Sequence, residues 1–270
     1  MKTTIFIFCI CFAISFSAQK QAFIYEMKYR PDIHKDSMIS KRMVLDISGN
    51  VSVFRTEDER RSDSLSKVSG FGIGADQHIE RQVYVTKDAV SGKTSRHFRT
   101  RFNDFYDVNI EEVQNWQVMP EKKKISGFDA RKAVMDYGGR KWTVWFTEEI
   151  PVSDGPYIFH GLPGLIVKAT DAGRDYEFML IATKNTSGNL FMRKKGLEMN
   201  FSDFRKLMMQ YYSDPYADLK LRNMLPVYTS DGHGGKKAMD LNELTRKTQK
   251  MIRQDNNPIE LKYKNEYREK

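Results

Sequence analysis

Apolar and polar residues alternate with a period of two from the first strand-like stretch of the chain. Phe23, Tyr25, Met27 and Tyr29 share one side and Ile24, Glu26, Lys28 and Arg30 the other, which predicts a half-buried strand. Arg30-Pro31-Asp32 ends it. Met43, Leu45 and Ile47 repeat the alternation, Ser48-Gly49-Asn50 supplies a turn, and residues 51–56 return as the second arm of a hairpin. Residues 57–67 carry few large apolar side chains and read as a mobile, charged excursion with room for one short helix. Further strands are expected at residues 77–85, 97–102, 105–110 and 115–119, with residues 122–127 as a solvated turn.

The strongest pattern lies in the middle. Residues 130–137 and 141–147 are β-branched and aromatic in the manner of strands, and Gly138-Gly139 between them suits a two-residue hairpin. With that turn, Asp136 opposes Lys141, Met135 opposes Trp142, Val134 opposes Thr143, Ala133 opposes Val144 and Lys132 opposes Trp145. Ala133, Met135, Trp142, Val144 and Phe146 then form a core face, and Trp145 falls on the mixed face. Residues 165–170 and 176–182 predict a second hairpin, with Tyr176, Phe178 and Leu180 on one side. Between the hairpins runs an aromatic loop rich in Pro and Gly, ending in Gly161-Leu162-Pro163-Gly164. Pro163 followed by Gly164 predicts a type II turn between two buried leucines.

Helical spacing is confined to the C-terminal third. Phe204, Leu207, Met208, Tyr211 and Tyr212 line one face of a helix capped by Ser202 and stopped at Asp214-Pro215. Residues 216–223 suit a shorter helix and residues 230–235 a surface loop. Asp240 and Glu243 open a last helix with Leu241, Leu244, Thr248, Met251 and Ile252 on its inner side. Ile259, Leu261 and Tyr263 alternate as a final strand. The fold class this implies is α+β and β-rich: a curved antiparallel sheet or half-open barrel with amphipathic C-terminal helices.

Several separated blocks in the middle of the chain carry a resemblance. Gly139-Arg140, Trp145-Phe146-Thr147, Glu149-Ile150-Pro151, Gly155-Pro156 and Gly161-Leu162-Pro163-Gly164-Leu165-Ile166 together resemble the signature of the GLPGLI family, secreted proteins of the Bacteroidetes. Asn257-Pro258-Ile259-Glu260-Leu261 resembles the same family's closing motif. Ala130 stands where family members often carry cysteine, which removes any thiol-dependent role here. The resemblance implies export and brings no established activity with it.

Export is also read from the N-terminus. Lys2, the apolar run of residues 5–14 and the small residues Ser15, Ser17 and Ala18 form a secretory signal over residues 1–18, leaving residues 19–270 as one domain in the periplasm or outside the cell. Both cysteines, Cys9 and Cys11, lie in that run, so the mature chain has no disulfide or thiol. Neither follows a lipoprotein-type small residue, and no later stretch is long and apolar enough for a membrane span.

Charge and chemistry narrow the function. The chain has 44 Lys and Arg against 35 Asp and Glu, a formal charge of +9. These charges are interleaved and come with no helix-turn-helix, zinc-ligand or aromatic RNA-binding pattern, so nucleic acid is not an expected partner. Gly70, Gly72 and Gly74 lack the helix that a phosphate loop needs. The five histidines show no ligand spacing, and no Gly-x-Ser-x-Gly occurs. No catalytic residue, metal site or cofactor is therefore assigned.

What remains is the aromatic loop. Trp145, Tyr157, Phe159 and Leu162, with His160 as the one titratable group, are the candidate ligand-binding set, and Gly161, Pro163 and Gly164 the structural turn. The same composition suits plain core packing under a loop. The expected function is an exported, non-enzymatic protein that binds an apolar or amphipathic ligand, a lipid or a peptide. Two alternatives stand beside it: an accessory protein of an outer-membrane transporter, and a hydrolase whose site assembles from distant residues.

Overall fold

In the computed structural model, which describes residues 20–73, 78–100, 103–186, 189–230 and 235–269, the opening alternation becomes strand β1 (Gln21–Tyr29). It is followed by β2 (Ile39–Ser48), β3 (Val51–Thr56), helix α1 (Glu57–Ser69), β4 (Val85–Asp88), β5 (Thr94–Arg99) and β6 (Phe105–Ile110). The central elements are β7 (Gln117–Ile125), β8 (Phe128–Tyr137), β9 (Arg140–Thr147), β10 (Leu165–Asp171) and β11 (Tyr176–Asn185). The C-terminal part holds β12 (Leu197–Met199), α2 (Phe201–Ser213), α3 (Ala217–Leu221), the small β13 (Tyr228–Ser230) and β14 (Lys236–Ala238) pair, and α4 (Leu241–Gln254). The proposed signal, residues 1–18, lies outside the described residues.

One sheet takes up strands β1 to β12 in the order β12-β6-β5-β4-β3-β2-β1-β11-β10-β9-β8-β7. Every pairing is antiparallel except β12 with β6. Two meanders, β1–β6 and β7–β11, are joined at β1, which pairs with β2 on one side and β11 on the other. The fold is α+β and β-rich, but the sheet is open and uncurled rather than a half-barrel. The aromatic loop and α2 pack on its apolar face.

The hairpin registers agree with the alternation. Lys132 to Asp136 pair with Trp145 to Lys141 as expected, and Gly138 and Gly139, at φ 59° and 81°, make the primed turn that matches strand twist. Ala133, Met135, Trp142, Val144 and Phe146 are buried. Phe23, Tyr25, Met27, Phe54 and Phe178 join them in the main core. A second core forms where α2 lies on β5 and β6, with the Phe98 and Phe204 rings stacked 4.1 Å apart. The first residue of that helix is Phe201 and its cap Asn200, two positions ahead of Ser202.

Other expectations give way for local reasons. Gln77 is outside the described residues, and Ile79–Arg81 is a 3-10 turn, so the strand expected over 77–85 begins only at Val85. The Gln82 side chain takes over the ladder's role: its amide donates to Arg99 O and accepts from Arg99 N, at 2.7 and 2.8 Å. The lysine triplet 122–124 continues β7, and the turn is Ser126-Gly127, both at positive φ. Instead of a last strand, Leu261–Tyr263 is a 3-10 turn. Helix α1 is complete and early, with a Thr56/Glu59 capping box and Gly70 at φ 79° closing it. It buries Ser62 and Asp63 rather than an apolar stripe, so hydrophobic spacing gave no sign of it.

Candidate functional site

The loop between β9 and β10 is built from tight turns whose backbone groups bond to one another. Val152 N donates to Ile150 O and Asp154 N to Val152 O, while Leu165 N returns to Ile150 O and Ile166 N to Asp154 O. The type II turn is replaced by a tighter one: Gly164 N donates to Leu162 O at 2.8 Å, a three-residue turn centred on Pro163. Leu165 N, which a type II turn would need, is already held by Ile150. Gly161 lies at φ 90° and Gly164 at φ 148°, with the position of a Gly164 Cβ only 2.1 Å from Thr147 O.

Polar side chains pin the loop to the sheet. Tyr25 donates to Ile166 O, Trp116 to His160 O and Gln114 to Ile158 O, each at 2.8 Å. Lys87, buried, donates to Gly155 O at 2.7 Å and forms an ion pair with Asp154. Burial lowers the Lys87 pKa, and Asp154 opposes the shift.

The five candidate ligand residues are not brought together around an opening. Tyr157, Phe159 and Leu162 lie in the main core, Phe159 meeting Trp142 edge-on at 4.8 Å and Tyr157 lying parallel to Phe178 at 6.3 Å. Trp145 is half-buried on the opposite side of β9 from Trp142, as strand alternation requires. His160 is half-buried, its Nε2 3.4 Å from Thr94 Oγ1, with its pKa lowered by burial and then by Lys87. None of the four clefts described among these residues is lined by any of the five. The tryptophans that meet Phe159 are Trp142 and Trp116, and of the other four candidates Tyr157 meets it edge-on at 5.8 Å.

Beside the central hairpin lies a buried polar network that joins two distant motifs. Arg140 donates from Nε to Ile259 O, from Nη1 to Asp171 and Asp175, and from Nη2 to Asn257 Oδ1 and Pro258 O. Its five N–H groups are fully used. Tyr176 donates to Asn257 O, and Lys262 N to Gly138 O at 3.0 Å. Gly138 and Gly139 are needed there for space as well as conformation, since a Cβ on either would sit 3.0 Å from Glu260 or Lys262. Buried Glu260 pairs with buried Arg96.

Open clefts lie elsewhere. A cleft of about 530 Å³ lies between α1, β2 and the segment around Gln82. Its floor includes Asp63 and Arg193, which belong to a second buried network. Arg55 donates to Asp63 and Asp46 at 2.9 Å and to Phe191 O at 2.6 Å, and Tyr84 donates to Asp63 at 2.7 Å. Arg193 lies 3.8 Å over the Tyr84 ring and reaches Glu59 at 2.8 Å and His97 O at 3.2 Å. Arg42, Arg81 and Arg99 line the cleft together with Glu57, Asp58 and Glu59 and with Met27, Ile73 and Val83. Nothing local in the sequence marks these residues, because Arg55, Tyr84 and Arg193 belong to three distant segments.

A second cleft of about 210 Å³ lies between Glu80 and the C-terminal segment, where Tyr267 donates to Glu80 at 2.8 Å. Among the described residues no three His, Cys, Asp or Glu side chains gather as a metal-ligand set, and no helix is long and apolar enough to cross a membrane.

Comparison with known proteins adds a partial family match and a fold. Residues 137–168 match the family described as "Protein of unknown function (Porph_ging)". That span runs from the Gly-Gly hairpin through the aromatic loop into β10. No curated protein matches the chain. Two solved structures of PNGF-II, in C2 and P21 space groups, are similar to 72% of this chain, with TM-scores of 0.51 and 0.50 at 15% and 14% identity. The matched part covers 33% and 34% of those chains, about a third of their length. At that identity the likeness is one of fold alone.

Proposed function

We propose that the chain is an exported binding protein of GLPGLI type, in which the aromatic loop is structural and the α1 cleft holds a short, polar peptide segment. The observation that carries this reading is the cleft itself. Its volume of about 530 Å³ falls within the range of about 300–1,000 Å³ usual for ligand sites, and its walls converge from several separate parts of the chain. Both signs of charge line it, together with Ser40, Gln82 and the apolar Met27, Ile73 and Val83, which suits a peptide's mixed surface better than an acyl chain. Asp63 and Arg193 in its lining are joined to buried Arg55 and Tyr84, which favours a pre-formed floor, since buried charges joined in this way resist rearrangement. Export is supported by the signal-like residues 1–18 and by the absence of cysteine after Cys11.

Native mass spectrometry of protein purified from its own host tests the reading. The expected result is a co-purifying peptide mass that is lost in Ser40→Trp, a change at an exposed position that fills the cleft without touching its floor. Retention of that mass in the folded variant would move the binding site elsewhere.

A further inference from the structure

Among the arginines of the α1 cleft, Arg99 is differently placed from the rest. Arg55 and Arg193 are paired with carboxylates, Arg42 lies 3.7 Å from Glu57, and Arg81 pairs with Asp255. Arg99, half-buried at the end of β5, makes one side-chain hydrogen bond, from Nη2 to Ile73 O at 2.8 Å. Its Nε is buried without a hydrogen-bond partner, and no carboxylate among the described residues lies within ion-pair distance of it. Burial lowers its pKa, and the next cause is the positive charge of Arg193. Glu59 and Asp63 offset part of this from beyond ion-pair distance, and both are already engaged, by Arg193 and by Arg55, so a guanidinium held in this cleft gains from an added anion.

We propose that Arg99 anchors a carboxylate of the ligand held in the α1 cleft. The proposal rests on the reading of that cleft as the binding site. A planar oxyanion suits the guanidinium fork, which presents parallel N–H donors that an ammonium does not. The main-chain position of Arg99 is fixed by the two hydrogen bonds to the Gln82 amide, so the anchor is held by the sheet rather than by the ligand. Glu57 and Asp58, on the first turn of α1, bring the opposite charge to the same cleft. The carboxylate comes either from a peptide C-terminus or from an acidic side chain.

Three probes separate these sources: Ala-Ala-Ala as the free acid, Ala-Ala-Ala amide, and Ala-Glu-Ala amide, each titrated into the full-length protein while the arginine Nε–Hε and Gln82 side-chain resonances are followed. The free acid is expected to shift the Arg99 resonance and to bind about tenfold or more tightly than its amide. Recovery of binding by Ala-Glu-Ala amide assigns the site to acidic side chains as well, and failure to recover confines it to C-termini. Arg99→Gln removes the preference for the acid, and Arg99→Lys restores only part of it. Equal binding of acid and amide at the cleft would overturn the anchor and leave the cleft reading standing. No shift of any cleft resonance with any of the three would overturn both.

Discussion

Arg140 Nη2 donates to Asn257 Oδ1 at 2.5 Å, joining the first residue of β9 to a residue 117 positions further along the chain. The two motifs read as separate in the sequence are thus halves of one buried contact. The Gly138-Gly139 turn leaves space for residues 260–262 to cross it, and Arg140 then captures three successive groups of that segment: Asn257 Oδ1, Pro258 O and Ile259 O.

Arg140→Met should therefore destabilise the protein by about 3–5 kcal/mol, because it leaves Asp171 and Asp175 buried beside an apolar side chain. Arg140→Lys restores the charge but not the five-donor fork, and should recover only part of the loss. Urea unfolding at neutral pH gives the numbers, and amide exchange of residues 257–263 should accelerate in both variants. A midpoint within error of the parent in Arg140→Met would remove this network from the stability argument.

A second prediction separates two glycines of the same loop. Gly161 has φ 90° with nothing within 4 Å of where a Cβ would lie, so Gly161→Ala carries only backbone strain, about 1–2 kcal/mol. Gly164 combines φ 148° with a Cβ position 2.1 Å from Thr147 O, a backbone atom that cannot swing aside. Gly164→Ala should cost more than about 3 kcal/mol or prevent folding. Thermal unfolding of the two variants side by side decides it, and equal costs would mean that Thr147 and Glu148 yield readily.

The hairpins were legible because two features agreed: alternating burial and a Gly-Gly pair that fixes register. The aromatic loop was legible as a segment that must pack, yet not as to which tryptophan it packs on. Trp142 and Trp145 are both aromatic strand residues, and only the period of two places Trp142 on the loop side. Helix α1 and the cleft were hidden for a different reason. Asp63 is buried by Arg55 and Tyr84, and Glu59 is held by Arg193, so both depend on partners 8 to 134 residues away rather than on any local pattern. Asn257 and Ile259 showed a motif without showing its use, since Arg140 must be in place before the segment has anything to bind.

The third prediction concerns pH. Burial pushes the Glu80 carboxyl up to about 7, with Asp255 adding to the shift and Tyr267, Arg96 and Asn265 opposing it. The folded pKa is raised above the unfolded value of 4.5, so the folded state holds a proton that the unfolded state releases. Stability from this group is full below about pH 4.5 and falls as pH rises toward 7, by up to about 3 kcal/mol. Glu80→Gln should gain stability relative to the parent at pH 8 and match it at pH 4. A difference between the two proteins that stays constant across that window would show that Glu80 ionises normally.

The fourth prediction concerns the free edge of the sheet. β7 ends the strand order, and its outer side is guarded by Pro120, by a register shift between Val118 and Lys122, and by three exposed lysines, Lys122, Lys123 and Lys124. Those are the devices that keep an unpaired edge from adding a second copy, the proline by lacking a donor and the lysines by mutual repulsion. Replacing the three lysines with threonine raises strand propensity while removing the repulsion. The variant should associate with rising concentration in light scattering, whereas a control with Lys237, Lys247 and Lys250 changed to threonine, at the same net charge, should not. High salt shortens the screening length from about 8 Å to about 3 Å at 1 M, so the parent protein should move toward the variant's behaviour there. If the triple variant stays monomeric at every concentration and salt, the bend at Pro120 alone protects the edge and the lysines serve another purpose.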